Sequence, residues 1–142
     1  MKLESLPQGV RLAVEAAKEK KAAGITVLEL SAAGAFTDYF VICTGFSTPQ
    51  VQAICTEVEE QLYKNLGRSP EHREGQRSAE WALLDFGGFV VHVFGEQARR
   101  YYDLERLWRA SVARGRRGGE HDNRATVAAI AALRAERRSR RP

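Results

Sequence analysis

The 142-residue chain lacks most of what builds metal centres, disulfide frameworks and membrane spans. Cys43 and Cys55 are its only cysteines, with no Cys-x-x-Cys and no Cys/His spacing suited to a ligand set. One falls in an apolar strand and the other on a core-facing helix stripe, so two buried, reduced thiols are expected. No run approaches the roughly 18 apolar residues that a membrane span needs. The N-terminal "MKLESLPQGVRLAVEAAKEKK" mixes acids and bases without a continuous apolar segment, which argues against a signal peptide and for a cytoplasmic protein. Positive charge is also scarce where a nucleic-acid surface would need it. Residues 1 to 110 hold 13 Lys and Arg against 15 Asp and Glu, a net −2, whereas residues 111 to 142 hold 9 against 3, a net +6. Any attraction to phosphate therefore has to come mainly from the extension.

What is present, at 44% hydrophobic and 28% charged residues, suits one globular domain with some length to spare. Ser5 and Gln8 have capping-box spacing, Pro7 suits a first helical turn, and Val10, Ala13, Val14 and Ala17 recur at helical spacing until Gly24. "ITVLEL" (25 to 30) and "DYFVICT" (38 to 44) read as strands joined by the loop "SAAGAFT". The second is apolar on both faces, as a central strand should be. In "GFSTPQ", Thr48 is the expected N-cap and Pro49 the first helical residue. The stripe Val51, Ile54, Cys55, Val58, Leu62 and Leu66 predicts a long helix closed by Gly67. "SPEHREG" is an edge strand or extended loop because of Pro70.

"EWALLDFGGFVVHVF" then predicts a hairpin across Gly87 and Gly88. Its register puts Ala82, Leu84, Phe86, Phe89, Val91 and Val93 on one face. The other face carries Trp81, Leu83, Val90 and Phe94 together with Asp85 and His92. In "EQARRYYDLERLW", Tyr101, Leu104 and Trp108 form a core-facing helical stripe while Arg99, Arg100, Tyr102, Asp103 and Glu105 project elsewhere. The order α, β, β, α, β, β, β, α implies an α/β fold, a mixed five-stranded sheet with flanking helices. The helix between the second and third strands permits one parallel crossover. From about Ser111 the chain turns Gly-, Ala- and Arg-rich, which is expected to be flexible or conditionally helical.

Chemistry is thinly represented. "TGFS" leading into a helix resembles the Gly-Ser element of nucleotidyltransferases, but that reaction needs paired carboxylates on the next strand to hold magnesium on a triphosphate. That strand offers Glu71 and Glu74, three apart and so on opposite faces. Asp85 and His92 share a hairpin face without being opposite each other, and the hairpin holds no Ser or Thr to complete a hydrolytic triad. Neither a metal nor a cofactor is expected.

Three blocks, "DYFVICTGFSTPQVQAI", "REGQRSAEWALLDFGGFVVHVF" and "ARRYYDLERLW", resemble in one colinear register the ribosomal silencing factor family, also called the Iojap family. The resemblance covers about residues 5 to 110. It implies a nucleotidyltransferase-like fold that has lost catalysis. It also implies binding to the large ribosomal subunit through ribosomal protein L14, steric exclusion of the small subunit, and a homodimer when free. The residues expected to meet that partner are Glu74, Trp81, Asp85, His92, Arg100, Tyr102 and Glu105. Trp81 is the expected aromatic anchor, against the competing account that it is core. Gly87-Gly88 departs from the Gly-Asp usual in the family, which shifts weight onto Asp85 or Glu74. The basic extension adds an expected contact to ribosomal RNA. The alternatives are a divergent nucleotide-binding enzyme and an assembly factor that binds ribosomal RNA.

Overall fold

The computed structural model describes residues 3–30 and 37–101. A 3-10 turn at Leu3–Ser5 precedes helix α1, Gln8–Glu19, whose Val10, Ala13, Val14 and Ala17 are buried as the periodicity requires. The expected capping box does not form: Pro7 occupies the N-cap position and no side chain caps the helix. Nor does Gly24 end the helix. Lys20 caps it, Lys21 takes a left-handed φ of 64°, and the chain passes directly into strand β1, Ala23–Glu29. Gly24, at φ 56°, sits inside that strand, where the register shifts between Ala23 and Thr26. A bulge at an edge strand is a common use of such a residue.

Strand β2, Tyr39–Gly45, is followed by helix α2, Thr48–Leu66. The N-cap is Ser47 rather than Thr48: its side chain accepts the Gln50 N–H at 3.2 Å. At the other end Gly67 adopts φ 65°, and the N–H groups of Gly67 and Arg68 return to the carbonyls of Tyr63 and Leu62, which satisfies the last turn. Strands β3, His72–Glu74, β4, Trp81–Asp85, and β5, Phe89–Gly95, complete the sheet, and α3, Glu96–Tyr101, leaves its far end.

The strands lie in the order β1-β2-β5-β4-β3. Only β2 and β5 are parallel; the other three pairings are antiparallel. The parallel neighbour of β2 is therefore β5 and not β3. The physical reason is burial: β2 and β5 are buried on both faces and belong in the middle, whereas β3 is short, polar and preceded by Pro70, which suits an edge. The hairpin register is the expected one, with Trp81 opposite Phe94, Leu83 opposite His92 and Asp85 opposite Val90.

Both faces of the sheet are covered. On the first, Val41, Cys43, Ala82, Leu84, Val91 and Val93 pack with α1 and α2 in the main core. On the second, Phe40, Ile42, Trp81, Leu83, Val90 and Phe94 cluster with Leu30 and Ala98. Each fully buried Val, Leu, Ile or Phe among them contributes about 1.5–3 kcal/mol, so packing outweighs the uncapped start of α1. The predicted stripe beyond Tyr101, with Leu104 and Trp108, and the extension from 111 onward lie outside the described residues.

A side chain built on Gly67 meets nothing within 4 Å, so substitution there tests conformation alone. Gly67→Ala is expected to lower stability by about 1 kcal/mol through the left-handed φ. Urea denaturation should show a lower midpoint with an unchanged slope.

Candidate protein interface

The second sheet face is built around two polar groups on neighbouring strands. Trp81 begins β4 and His92 lies within β5, and both are 0% exposed. The indole Nε1–H donates to His92 Nδ1 at 3.0 Å. That bond requires an unprotonated Nδ1, so the proton of the neutral ring is on Nε2. Phe40 meets the imidazole edge-on at a centroid distance of 4.5 Å, and Phe94 stacks on the indole at 5.2 Å. Trp81 is thus core, and the expectation of an exposed aromatic anchor is corrected. A buried imidazole needs a polar partner, and the Trp81 indole turns inward to supply one.

Asp85 is half-buried at the end of β4, and its Oδ1 accepts the Gly87 N–H at 2.8 Å. It shapes the Gly87-Gly88 turn from within, so one carboxylate oxygen is engaged inside the protein. The turn is held further by Thr37 Oγ1, which donates to the Gly87 carbonyl at 2.8 Å, and by Arg68, which donates to the Phe86 carbonyl. Glu74, also half-buried, lies on edge strand β3 with Oε2 2.9 Å from His72 Nε2. Arg100 is exposed on α3 and pairs with Glu96 at 3.3 Å, an i,i+4 contact worth a few tenths of a kcal/mol. Tyr102 and Glu105 lie outside the described residues. Of the seven expected contact residues, then, Arg100 is fully at the surface, Glu74 and Asp85 are partly so, and Trp81 and His92 are buried.

Arg99 departs from expectation in the other direction. It is half-buried: Nη1 donates to Thr44 Oγ1 and Nη2 to the Gly24 carbonyl, each at 3.0 Å. Periodicity set it off the core stripe without naming a partner; the partner is the Gly24 carbonyl at the register shift in β1.

The "TGFS" turn lines a cleft of about 360 Å³ between Gly45–Thr48, Ser78–Glu80 and Gly95–Ala98, beyond the carboxyl ends of the parallel strands. Phe46 stands 58% exposed at this turn, its N–H donating to Gln50 Oε1 at 2.7 Å. Two acidic residues, Glu80 and Glu96, line this cleft, and Glu96 is engaged by Arg100 at 3.3 Å. Glu57 and Glu59, the chain's Glu-x-Glu, lie on α2 and engage Gln61 and Arg73 respectively, and Glu74 engages His72. No group of three His, Cys, Asp or Glu among the described residues is arranged to hold a metal ion. Among the same residues no helix is long and apolar enough to cross a membrane.

Cys43 and Cys55 are buried and free, and burial pushes both thiols up to about 12. For Cys43 the nearby Arg99 charge pulls the other way but does not prevail.

The fold defines a small α/β module with a mixed five-stranded sheet and flanking helices. The family model described as "Ribosomal silencing factor during starvation" matches residues 3–141, past the boundary at 110 where the sequence resemblance ended. A ribosomal silencing factor of Bacillus subtilis is 41% identical over 99 residues, covering 70% of this chain and 83% of the relative. The chloroplastic protein Iojap of Arabidopsis thaliana is 37% identical over 102 residues, covering 72% of this chain and 42% of the relative. A crystal structure of a Chromobacterium violaceum protein superposes with a TM-score of 0.68 at 35% identity, covering 76% of this chain and 87% of that one. The chain belongs to the ribosomal silencing factor family.

Two outcomes follow from the buried groups. Trp81→Phe leaves His92 Nδ1 without its donor and should cost about 1–3 kcal/mol in denaturant titration; a surface tryptophan would cost under about 0.5 kcal/mol. Because the folded thiols hold their protons to about 12 against an ordinary value of 9.0, native protein binds more protons than unfolded chain in that interval, and stability falls as pH rises across it. At mildly alkaline pH neither thiol should react with a disulfide-exchange reagent until denaturant is added.

Proposed function

We propose that this protein represses translation without enzymatic chemistry, by binding the large ribosomal subunit through ribosomal protein L14 and blocking association with the small subunit. Membership of a family named for silencing ribosomes carries this reading. Exclusion by bulk needs no nucleophile or cofactor, only a complementary surface and a rigid body behind it. The charge distribution adds direction: a body of net −2 favours a basic protein partner over bare RNA, and the +6 of residues 111 to 142 supplies a salt-sensitive contact to ribosomal RNA. The contact residues are Glu74 on β3, Asp85 at the hairpin turn, Arg100 on α3, and Tyr102 and Glu105 further along the chain. Trp81 and His92 set the shape of the surface from the interior. The cellular setting is the cytoplasm, and the free protein is a homodimer.

Sucrose-gradient sedimentation of purified subunits with increasing amounts of the protein tests this directly. The protein should co-migrate with the large subunit while the joined particle disappears. Normal joining, with the protein left at the top of the gradient, would remove silencing by exclusion. Retention of binding by large subunits depleted of L14 would instead favour an assembly factor that reads ribosomal RNA.

A further inference from the structure

The described part of α3 is only six residues long and makes its contacts chiefly with the ends of β5 and β2. Ala98 secures one side of it by burial in the second core cluster. Arg99 secures the other. Its guanidinium spans from Thr44, 7% exposed at the end of β2, to the Gly24 carbonyl on the edge strand β1, so that α3, β2 and β1 are joined by one planar group.

One acceptor is a side-chain hydroxyl in regular strand, and the other lies at a local irregularity. The bulge in β1 releases the Gly24 carbonyl from its ladder, and at φ 56° that position strongly favours glycine. A Cβ on Gly24 would sit 3.5 Å from Arg99 Nη1, so the strand backbone and the guanidinium are already in near contact. Lysine cannot reproduce this arrangement, since one ammonium lacks the fork that reaches two acceptors on different strands.

The next residue along, Arg100, is exposed, and Tyr102 and Glu105 follow it. From this we infer that Arg99 is the positioning residue of the ribosome-docking segment. It fixes the direction in which α3 leaves the sheet, and thereby where Arg100 is presented. This rests on the proposed binding to the large subunit. Arg99 makes no contact with the partner itself; its contribution to affinity passes through Thr44 and Gly24.

The test uses full-length protein, purified large subunits, and the variants Arg99→Met, Arg99→Lys, Thr44→Val and the Arg99→Met/Thr44→Val double. Val58→Ala, in the main core on the opposite face of the sheet, serves as a control for destabilisation. Arg99→Met should weaken binding about tenfold, the equivalent of one charge-assisted hydrogen bond, through faster dissociation. Arg99→Lys should recover part of the loss. The double variant should bind no more weakly than Arg99→Met alone, because the two side chains act as a unit. Val58→Ala should bind as wild type even where its melting temperature falls at least as far. The inference is overturned if Arg99→Met binds as wild type, if its effect and that of Thr44→Val simply add, or if Val58→Ala loses affinity equally. Should Arg99→Met fail to fold, Thr44→Val and Arg99→Lys decide the matter by the same comparisons. Failure of wild-type protein to bind large subunits is a separate result, and it would overturn the functional proposal along with this inference.

Discussion

Burial of β2 and β5 on both faces is the constraint from which the rest of the architecture follows. Two adjacent strands that expose nothing must lie in the middle of the sheet, and their parallel pairing then forces the chain to travel through α2, β3 and β4 between them. The two helices of that first half pack on one side. Among the described residues, Leu30, Ala98 of α3 and large aromatic residues of the sheet itself cluster on the other side.

Within that constraint His92 is the expensive element. A polar ring placed among Phe40, Trp81 and Phe94 loses its hydration and must recover a bond inside the protein. Trp81 provides it, and in doing so turns its indole inward. The same pairing explains why composition misled at this point: tryptophan is enriched in interfaces, yet here its N–H is worth more to a buried acceptor than its area is to a partner.

Periodicity made much of this fold legible. Alternation in 80 to 94 specified the hairpin, its register and the members of each face, because a pleat leaves no freedom once the turn is placed. The stripe from Val51 to Leu62 and the left-handed Gly67 were likewise readable from spacing and chemistry. Sheet order was less so, since the pattern shows that β2 is central without saying which strand lies beside it. The site was the least legible part. Whether Trp81 faces water depends on what covers the second face, and whether Arg99 projects depends on a carbonyl freed 75 positions earlier in the chain. Neither fact is local, and no window of sequence contains it.

The two edges of the sheet end in different ways. On one side β3 is three residues long and carries His72, Arg73 and Glu74, so another strand would find little backbone to pair with and charge on both faces. On the other, seven residues of half-buried β1 would make a tempting template, but the bulge breaks its ladder and the Arg99 guanidinium occupies the Gly24 carbonyl. A protein accumulating in a crowded solution would thus resist templated aggregation through its strand edges, and the side chain that aims α3 would also guard one of them.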